Sequence, residues 1–317
     1  MKKMSLSLIL IAGFIQTVFG GNPAVTEVGP PLQLTTNQYF MAPVWAPVAN
    51  IIAVTGSQYS GIYLVSYPDG KVRQISSEPA AGYGMQWAHN GNYIAAKISK
   101  YEQNKRYNAI ALFNTSTGMK QLLTDYRTLL PGVPKWTTHD SFVFLSESRQ
   151  LELYDINQPG ISKRLSDLPA GEPLIYIRQD HITYKPSNAK SMQTLPDLSG
   201  QPLNLVVSPD GQKIAYEIIG GHLWVSGIDG SNRVDLGPGN EPSWNPGSDK
   251  LVYMITTDDG HQFTSSDIYI VNSDGTGKTN ITNTPDILEM HPNWSHTDNL
   301  IAYNTYKTGA IFVREIQ

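Results

Sequence analysis

The chain of 317 residues contains no cysteine. Disulfide bonds are therefore excluded, and so is the lipid-modified cysteine that anchors bacterial lipoproteins. An oxidising compartment permits disulfides but does not require them. A chain of this length buries a large core in one domain without covalent cross-links. The absence of cysteine is thus compatible with an exported protein.

Charged residues are also scarce, at 16% of the chain, and the net charge at pH 7 is −4. The sequence has neither a run of Lys and Arg nor an acidic tail. Because nucleic-acid binding needs clustered basic residues, we expect no nucleic-acid partner. The sequence also lacks a Gly-x-Ser-x-Gly pentapeptide. The nucleophile elbow of an α/β-hydrolase is therefore excluded.

The first residues have the features of a secretory signal peptide. Lys2 and Lys3 form a positive start, and a mostly apolar run follows over 6–19. That run is too short to span a bilayer comfortably. Val18 and Gly20 occupy the small-residue positions of a cleavage site. The alternative is a buried N-terminal helix.

These features predict three segments. We expect a signal peptide over 1–20, a short leader over 21–30 and a single domain over 31–317. The signal peptide predicts a periplasmic or secreted protein without a membrane span.

An anchor residue recurs with a period of about 40 residues, which indicates stacked supersecondary units. Each anchor precedes a turn rich in Pro, Gly, Asn and Asp and then an apolar strand, with two further strands behind it. The clearest turn is Ser208-Pro209-Asp210-Gly211. The anchors are Trp45, Trp87, Trp136, Val207, Trp244 and Trp294. The repeat predicts an all-β fold, a β-propeller of four-stranded antiparallel blades.

The number of blades depends on the gap between Trp136 and Val207, which is too long for one blade. Within it, 174–177 and 181–184 form a strand-turn-strand pattern that lacks the Trp anchor. We interpret this segment as a degenerate blade, which gives seven blades. The alternative is an insertion in a ring of six.

The two ends of the domain predict how the ring closes. Residues 294–317 have room for about three strands, and 31–35 resemble the fourth strand of a blade. We expect this N-terminal strand to complete the C-terminal blade, since closure removes the unpaired edges that invite aggregation.

The repeat resembles the WD40-like repeat of TolB-type propellers. The resemblance is strongest over 207–216, 242–282 and 291–303, and it extends in weaker form over most of the domain. It implies the propeller fold but not one function, because the Tol translocation protein, prolyl-oligopeptidase-type peptidases and oligogalacturonate lyases share the repeat. The separate N-terminal domain of a full Tol protein is not expected here.

The resemblance to the lyases can be tested at the mouth of the central channel. The residue three positions before each anchor opens the innermost strand, and it is His at one anchor only. A transition-metal site needs three or four convergent ligands, so we predict no metal and no cofactor. The residues at this position are Ala42, Gly84, Val133, Asn204, Glu241 and His291. Asn204, Glu241 and His291 are our candidate binding residues at the channel mouth, with a hydrogen-bonded polar lining as the structural alternative.

Two polar segments between strands are further candidates, because loops on a rigid scaffold commonly carry binding residues. The first, within the second blade, contains Tyr101, Arg106 and Tyr107. The second, within the sixth, contains Asp258 and Asp259, for which turn formation before Gly is the structural alternative.

Two functions follow from these candidates. We expect a monomeric, non-enzymatic binding or scaffold module for a periplasmic or extracellular protein, peptide or glycan. The alternative is a carbohydrate-active enzyme resembling oligogalacturonate lyases, with Glu241 and His291 as its catalytic residues.

Overall fold

A computed structural model describes residues 27–130, 132–146, 151–164, 166, 168, 173–186, 191–196 and 198–317. The predicted signal peptide and the leader up to residue 26 lie outside this part of the chain. The elements defined in these residues are β-strands and the 3-10 turn Ser57–Tyr59.

The strands form seven antiparallel sheets, each built from a consecutive piece of chain except at the closure of the ring. We call these sheets blades 1 to 7, and we number the strands of each blade from the channel outward. The inner strands are Met41–Trp45, Gln86–Trp87, Pro134–Trp136, Pro202–Val207, Asn240–Trp244 and Glu289–Trp294, in blades 1, 2, 3, 5, 6 and 7. The second strands are Ile51–Thr55, Tyr93–Glu102, Phe142–Ser146, Leu174–Arg178, Lys213–Ile218, Lys250–Asp258 and Leu300–Thr305.

The third and fourth strands complete the blades on the outside of the ring. The third strands are Ile62–Ser66, Lys105–Asn114, Leu151–Asp155, His181–Lys185, His222–Gly227, Phe263–Asn272 and Ile311–Glu315. The fourth strands are Val72–Ser76, Lys120–Leu122, Ser162–Lys163, Gln193–Thr194, Val234–Pro238, Thr279–Asn280 and, from the N-terminus, Leu32–Gln33.

The hydrophobic core consists of seven clusters, and each cluster lies between two neighbouring blades. Blades 1 and 2 share one cluster, and the series continues around the ring to blades 7 and 1. Burial of apolar surface between sheets is the main driving force for such a fold. Seven interfaces for seven blades confirm the prediction of a seven-bladed propeller.

The Trp anchors pack between blades, as their repeat position suggested. Trp45 and Trp294 are almost fully buried. The indole N–H of Trp87 donates to the carbonyl of Val44 in the preceding blade at 3.1 Å. Trp136 repeats this contact with Gln86. The anchors therefore contribute apolar area between neighbouring blades, and Trp87 and Trp136 add hydrogen bonds, whereas the indole N–H groups of Trp45 and Trp294 have no partner among the described residues.

Blade 4 is the degenerate blade. The N–H of Leu195 donates to the carbonyl of Ile182 at 2.9 Å, just as Ile281 in blade 6 donates to Ile268, also at 2.9 Å. That bond joins a fourth strand to a third strand. The three strands of blade 4 are therefore its second, third and fourth strands, and the described residues contain no inner strand for it.

A lysine crosses the channel side of blade 4. The Nζ of Lys135, on the inner strand of blade 3, lies 3.4 Å from the carbonyl oxygen of Leu205 in blade 5. Burial lowers the pKa of Lys135. The inner edges of blades 3 and 5 are thus bridged by a side chain at the position where blade 4 has no described inner strand.

The ring closes as predicted. Leu32–Gln33 pairs antiparallel with Ile311–Glu315, so the N-terminal strand is the outer strand of blade 7. Beyond it, the N–H of Ile311 donates to the hydroxyl of buried Thr35 at 2.9 Å. A side chain therefore replaces one ladder bond at the end of the closing strand.

We predict that Thr35→Val destabilises the protein by about 1–3 kcal/mol, because the Ile311 N–H loses its buried acceptor while the shape of the side chain is kept. Thr36→Val is the matched control, since Thr36 is exposed, and it should change stability by less than about 0.5 kcal/mol. Denaturant unfolding measures both variants. Equal stabilities would contradict the role given to Thr35.

Candidate functional site

At the predicted channel-mouth position, three residues before each anchor, the backbone is irregular in most blades. The pairing of inner and second strands shifts register there in blades 1, 5, 6 and 7. The residue at the shift has left-handed φ, which non-glycine residues seldom adopt. The φ angles are 51° at Ala42, 49° at Asn204, 52° at Glu241 and 53° at His291, and blade 2 has Gly84 at 63°. Val133 in blade 3 does not share this conformation.

Glu217 joins two of the predicted residues. Its Oε1 accepts hydrogen bonds from the Asn204 side chain at 2.8 Å and from the backbone N–H of Glu241 at 2.6 Å. Its Oε2 accepts from the side chain of Asn240 at 3.1 Å. Burial raises the pKa of Glu217, although these hydrogen bonds oppose the rise. Asn204 therefore orients a carboxylate instead of pointing freely into the channel.

Glu241 and His291 are in direct contact. The Nδ1 of His291 lies 2.6 Å from Oε2 of Glu241, across the boundary between blades 6 and 7. The His291 side chain is largely buried and that of Glu241 is more accessible. Burial, followed by the charge of Glu241, raises the pKa of Tyr59 in blade 1. The Glu241 charge thus acts on a side chain of blade 1 as well as on His291 of blade 7.

Sequence reasoning missed a column of buried polar residues on the second strands. Each is the fifth residue of its second strand, and each faces the segment that leads to the next inner strand. The members are Thr55, Lys97, Glu217 and Asn304. Asn304 Oδ1 accepts from the N–H of Ala42 at 3.1 Å, as Glu217 accepts from Glu241. A polar residue inside an apolar strand, repeated at one position, was the available signal.

The candidate residues all lie on one face of the ring. Inner strands run away from the channel mouth and second strands return, so the loops between second and third strands lie at the mouth. The loops between a fourth strand and the next inner strand lie there too. We call this side the mouth face. The mouth face includes Glu241 and His291, and also Tyr101, Arg106, Asp258 and their neighbours.

The polar segment of blade 2 is a long hairpin, not the loop we expected. Tyr93–Glu102 and Lys105–Asn114 pair along their whole length of 10 residues each. Tyr101 pairs with Arg106, and Lys100 pairs with Tyr107. Second strands in most blades have 5 or 6 residues. The hairpin therefore projects about 15 Å further, at about 3.4 Å per residue.

The polar segment of blade 6 is a second long hairpin, built from Lys250–Asp258 and Phe263–Asn272. At its tip, Oδ1 of Asp258 accepts from the N–H of Gly260 at 2.9 Å. Oδ1 of Asp259 accepts from two N–H groups, both at 2.9 Å. Both aspartates therefore form the turn, as the structural alternative proposed, and their second carboxylate oxygens leave the tip acidic.

Exposed aromatic rings are confined to the mouth face. In the described part of the chain, the exposed tyrosines are Tyr39, Tyr83, Tyr101 and Tyr306. All four come from mouth-face loops or from the blade 2 hairpin. Loops of the opposite face expose aliphatic side chains instead, namely Val48, Met119 and Ile161. Aromatic residues are typical of protein interfaces.

A cavity of about 760 Å³ opens beside the ring closure, between the two long hairpins. The N-terminal segment contributes Tyr39, and blade 7 contributes Asp286, Lys307 and Phe312. The remaining lining residues are amides, hydroxyls and aliphatic groups. The volume lies within the range of about 300–1,000 Å³ that is typical of ligand pockets.

No group of three or more His, Asp or Glu side chains with the spacing of a metal site occurs within the described ranges. In that part of the chain there is also no helix of sufficient length and apolar character to cross a membrane.

Comparison with known proteins gives the fold. No family model matches the sequence, and no curated protein matches it. The Cps50 (Swd1) propeller domain of Myceliophteria thermophila superposes with a TM-score of 0.63 at 10% identity, over 93% of this chain and 99% of that one. A TolB candidate from Agrobacterium tumefaciens gives a TM-score of 0.50 at 17% identity, over 82% and 89%.

TolB from Acinetobacter baumannii aligns with a TM-score of 0.49 at 18% identity. The alignment covers 78% of this chain but only 55% of that protein. The structural neighbours support the resemblance to TolB-type propellers at the level of the fold.

The raised pKa of Glu217 predicts a pH dependence. The folded state binds the Glu217 proton more tightly than the unfolded chain, because burial and the nearby Glu241 charge disfavour the carboxylate. The stability from this group is therefore present below the unfolded pKa of about 4.3 and is lost as pH rises through the folded pKa. Wild type should lose stability relative to Glu217→Gln as pH rises above about 4.3. Chemical denaturation across this range measures the difference, and a constant difference would contradict the assignment.

Proposed function

We propose that this protein is an exported, monomeric binding module that holds a protein or peptide partner on its mouth face. The observation that carries the proposal is the convergence of all binding candidates there. The polar pair Glu241 and His291, the two long hairpins and every exposed tyrosine of the described chain occupy one side of the ring.

The shape of the mouth face fits a macromolecular partner. The hairpins rise from blades 2 and 6, so they flank blades 7 and 1, where the large cavity opens. Tyr59 and Tyr83 are in edge-on contact, with ring centroids 5.2 Å apart, and Phe263 packs against Tyr306. Aromatic side chains held by such contacts lose little entropy when a partner binds.

The charges of the two hairpins differ in sign. The blade 2 tip has Lys100, Lys105 and Arg106 against one acid, Glu102, whereas Asp258 and Asp259 make the blade 6 tip acidic. A partner that lies between them is therefore oriented by its own charges, since complementary potentials fix register and direction.

The compartment of the partner rests on the N-terminal sequence. Residues 1–20 support export through their charged and apolar pattern, so the partner is a periplasmic or extracellular protein or peptide. A glycan partner would use the cavity beside the ring closure, which offers amides, hydroxyls and aromatic rings.

Site-specific photocross-linking tests the proposal. Tyr101 and Met119 are exposed at opposite ends of blade 2, so each is replaced with p-benzoylphenylalanine in the native host. We expect a discrete protein adduct from position 101 and none from position 119. With the partner purified, Tyr101→Ala should weaken binding about tenfold, as at an interface hot spot, and Met119→Ala less than twofold. Adducts from position 119 alone would overturn the proposal.

One observation favours a second function, a carbohydrate-active enzyme. The 2.6 Å contact between His291 and Glu241 places an oriented imidazole in the channel mouth. A general base needs such orientation and hydrogen-bond reach to the proton that it abstracts.

An activity assay separates the two functions. The purified protein is incubated with uronate and neutral oligosaccharides, with and without divalent cations, beside Glu241→Gln and His291→Gln. The binding proposal predicts no turnover above the blank in any sample. Turnover that both substitutions reduce by about 100-fold, the usual effect of losing a general base, would establish the enzyme instead.

A further inference from the structure

A second, smaller cavity lies under the blade 2 hairpin on the mouth face. Its volume is about 220 Å³, and it is lined by Lys97, Arg106, Asn108, Thr128, Leu129 and Leu130. It is smaller than the usual pocket for a whole ligand, so it fits one side chain or one chain terminus.

Hydrogen bonds inside the hairpin fix the donors of this cavity. Nε of Arg106 donates to the hydroxyl of Ser99 at 3.0 Å, and that hydroxyl donates to Oδ1 of Asn108 at 2.8 Å. The oxygen of the buried Asn108 amide is thereby occupied, which leaves its Nδ2 as the group available to the cavity. Among the described residues, Arg106 has no side-chain hydrogen bond beyond the one from Nε, so its fork of terminal nitrogens is also available.

The cavity also contains a buried cation. Lys97 is 8% exposed, its Nζ lies 3.4 Å from the carbonyl of Leu130, and it sits 5.7 Å from the ring centre of Tyr83. Burial and the charge of Arg106 both lower the pKa of Lys97. No Asp or Glu is among the described lining residues. Lys97 and Arg106 thus bring two positive charges into the same small cavity, where they repel each other.

We propose that this cavity is a carboxylate-binding subsite, in which Lys97, Arg106 and Asn108 hold an acidic group of the partner. The inference rests on the proposed binding function and gives the chemistry of its partner. A carboxylate accepts from the planar fork of an arginine with two parallel bonds, and its charge offsets the repulsion between the two cations. Leu129, which is 83% exposed, gives the cavity an apolar rim for the residues beside that group.

NMR titration with small probes tests the subsite without a partner. The Cε resonance of Lys97, assigned by its loss in Lys97→Met, is followed in protein with labelled lysine. N-acetyl-glutamate N-methylamide carries one side-chain carboxylate, and N-acetyl-alanine carries one terminal carboxylate. We expect saturable binding of one or both, and the better probe identifies the source of the carboxylate.

Two variants make the test specific. Arg106→Gln should weaken carboxylate binding about tenfold, because a charge-assisted bond is lost. Lys105→Gln removes the same charge from the same hairpin outside the cavity, and it should change binding less than twofold. Both residues are exposed, so folding is not at risk.

Three results would overturn the subsite: equal binding of neutral N-acetyl-glutamine N-methylamide, binding of inorganic phosphate alone, or equal effects of the two variants. Failure of the cross-linking experiment with intact probe binding would instead overturn the proposed partner function alone.

Discussion

The mouth face depends on one contact, in which a backbone N–H in left-handed conformation donates to a buried polar side chain of the preceding blade. Glu241 N–H reaches Oε1 of Glu217 at 2.6 Å, and Ala42 N–H reaches Asn304 at 3.1 Å. A buried N–H without an acceptor costs about 1–3 kcal/mol, so the polar residue stabilises the bulge at these two positions. The bulge turns the Glu241 side chain toward the mouth, where it meets His291. A structural bond between blades thereby sets the geometry of the candidate site.

The position of Glu217 on the second strand carries a different side chain in other blades, and these differences distinguish structural residues from candidate functional residues. Glu217 and Asn304 accept hydrogen bonds from the next inner strand, which satisfies backbone N–H groups of the propeller. In blade 2 the position is Lys97, which is a donor only and cannot play that part. The next blade has no left-handed residue at Val133, so this contact between a bulge and an acceptor is not repeated there. Lys97 instead lies 3.4 Å from the carbonyl oxygen of Leu130, in the segment that leads to the next inner strand.

The fold could be predicted from sequence because its determinants are local and repeated. Trp anchors such as Trp136 recur from blade to blade, as do the Asp-Gly turns, and the closing strand 31–35 resembles other fourth strands. The two long hairpins were harder to predict from the sequence, because Lys100 and Tyr107 are polar residues whose pairing depends on a partner strand. Glu217 was missed since its burial arises from blade 6, not from its own strand. Contacts between neighbouring blades determine the geometry of the candidate site, and the sequence of one repeat does not show which residues of the next blade it contacts.

Ring closure imposes an order on the biogenesis of the protein. Leu32–Gln33 is made first, yet its partner Ile311–Glu315 is made nearly 280 residues later. At about 5–20 residues per second of synthesis, the first strand waits tens of seconds for its sheet. During that interval Leu32–Gln33 and the last strand made are both unpaired, and unpaired strand edges associate with other chains. Without Ile311–Glu315 the strand Leu32–Gln33 has no sheet partner, so the ring closes only after the last strand has formed.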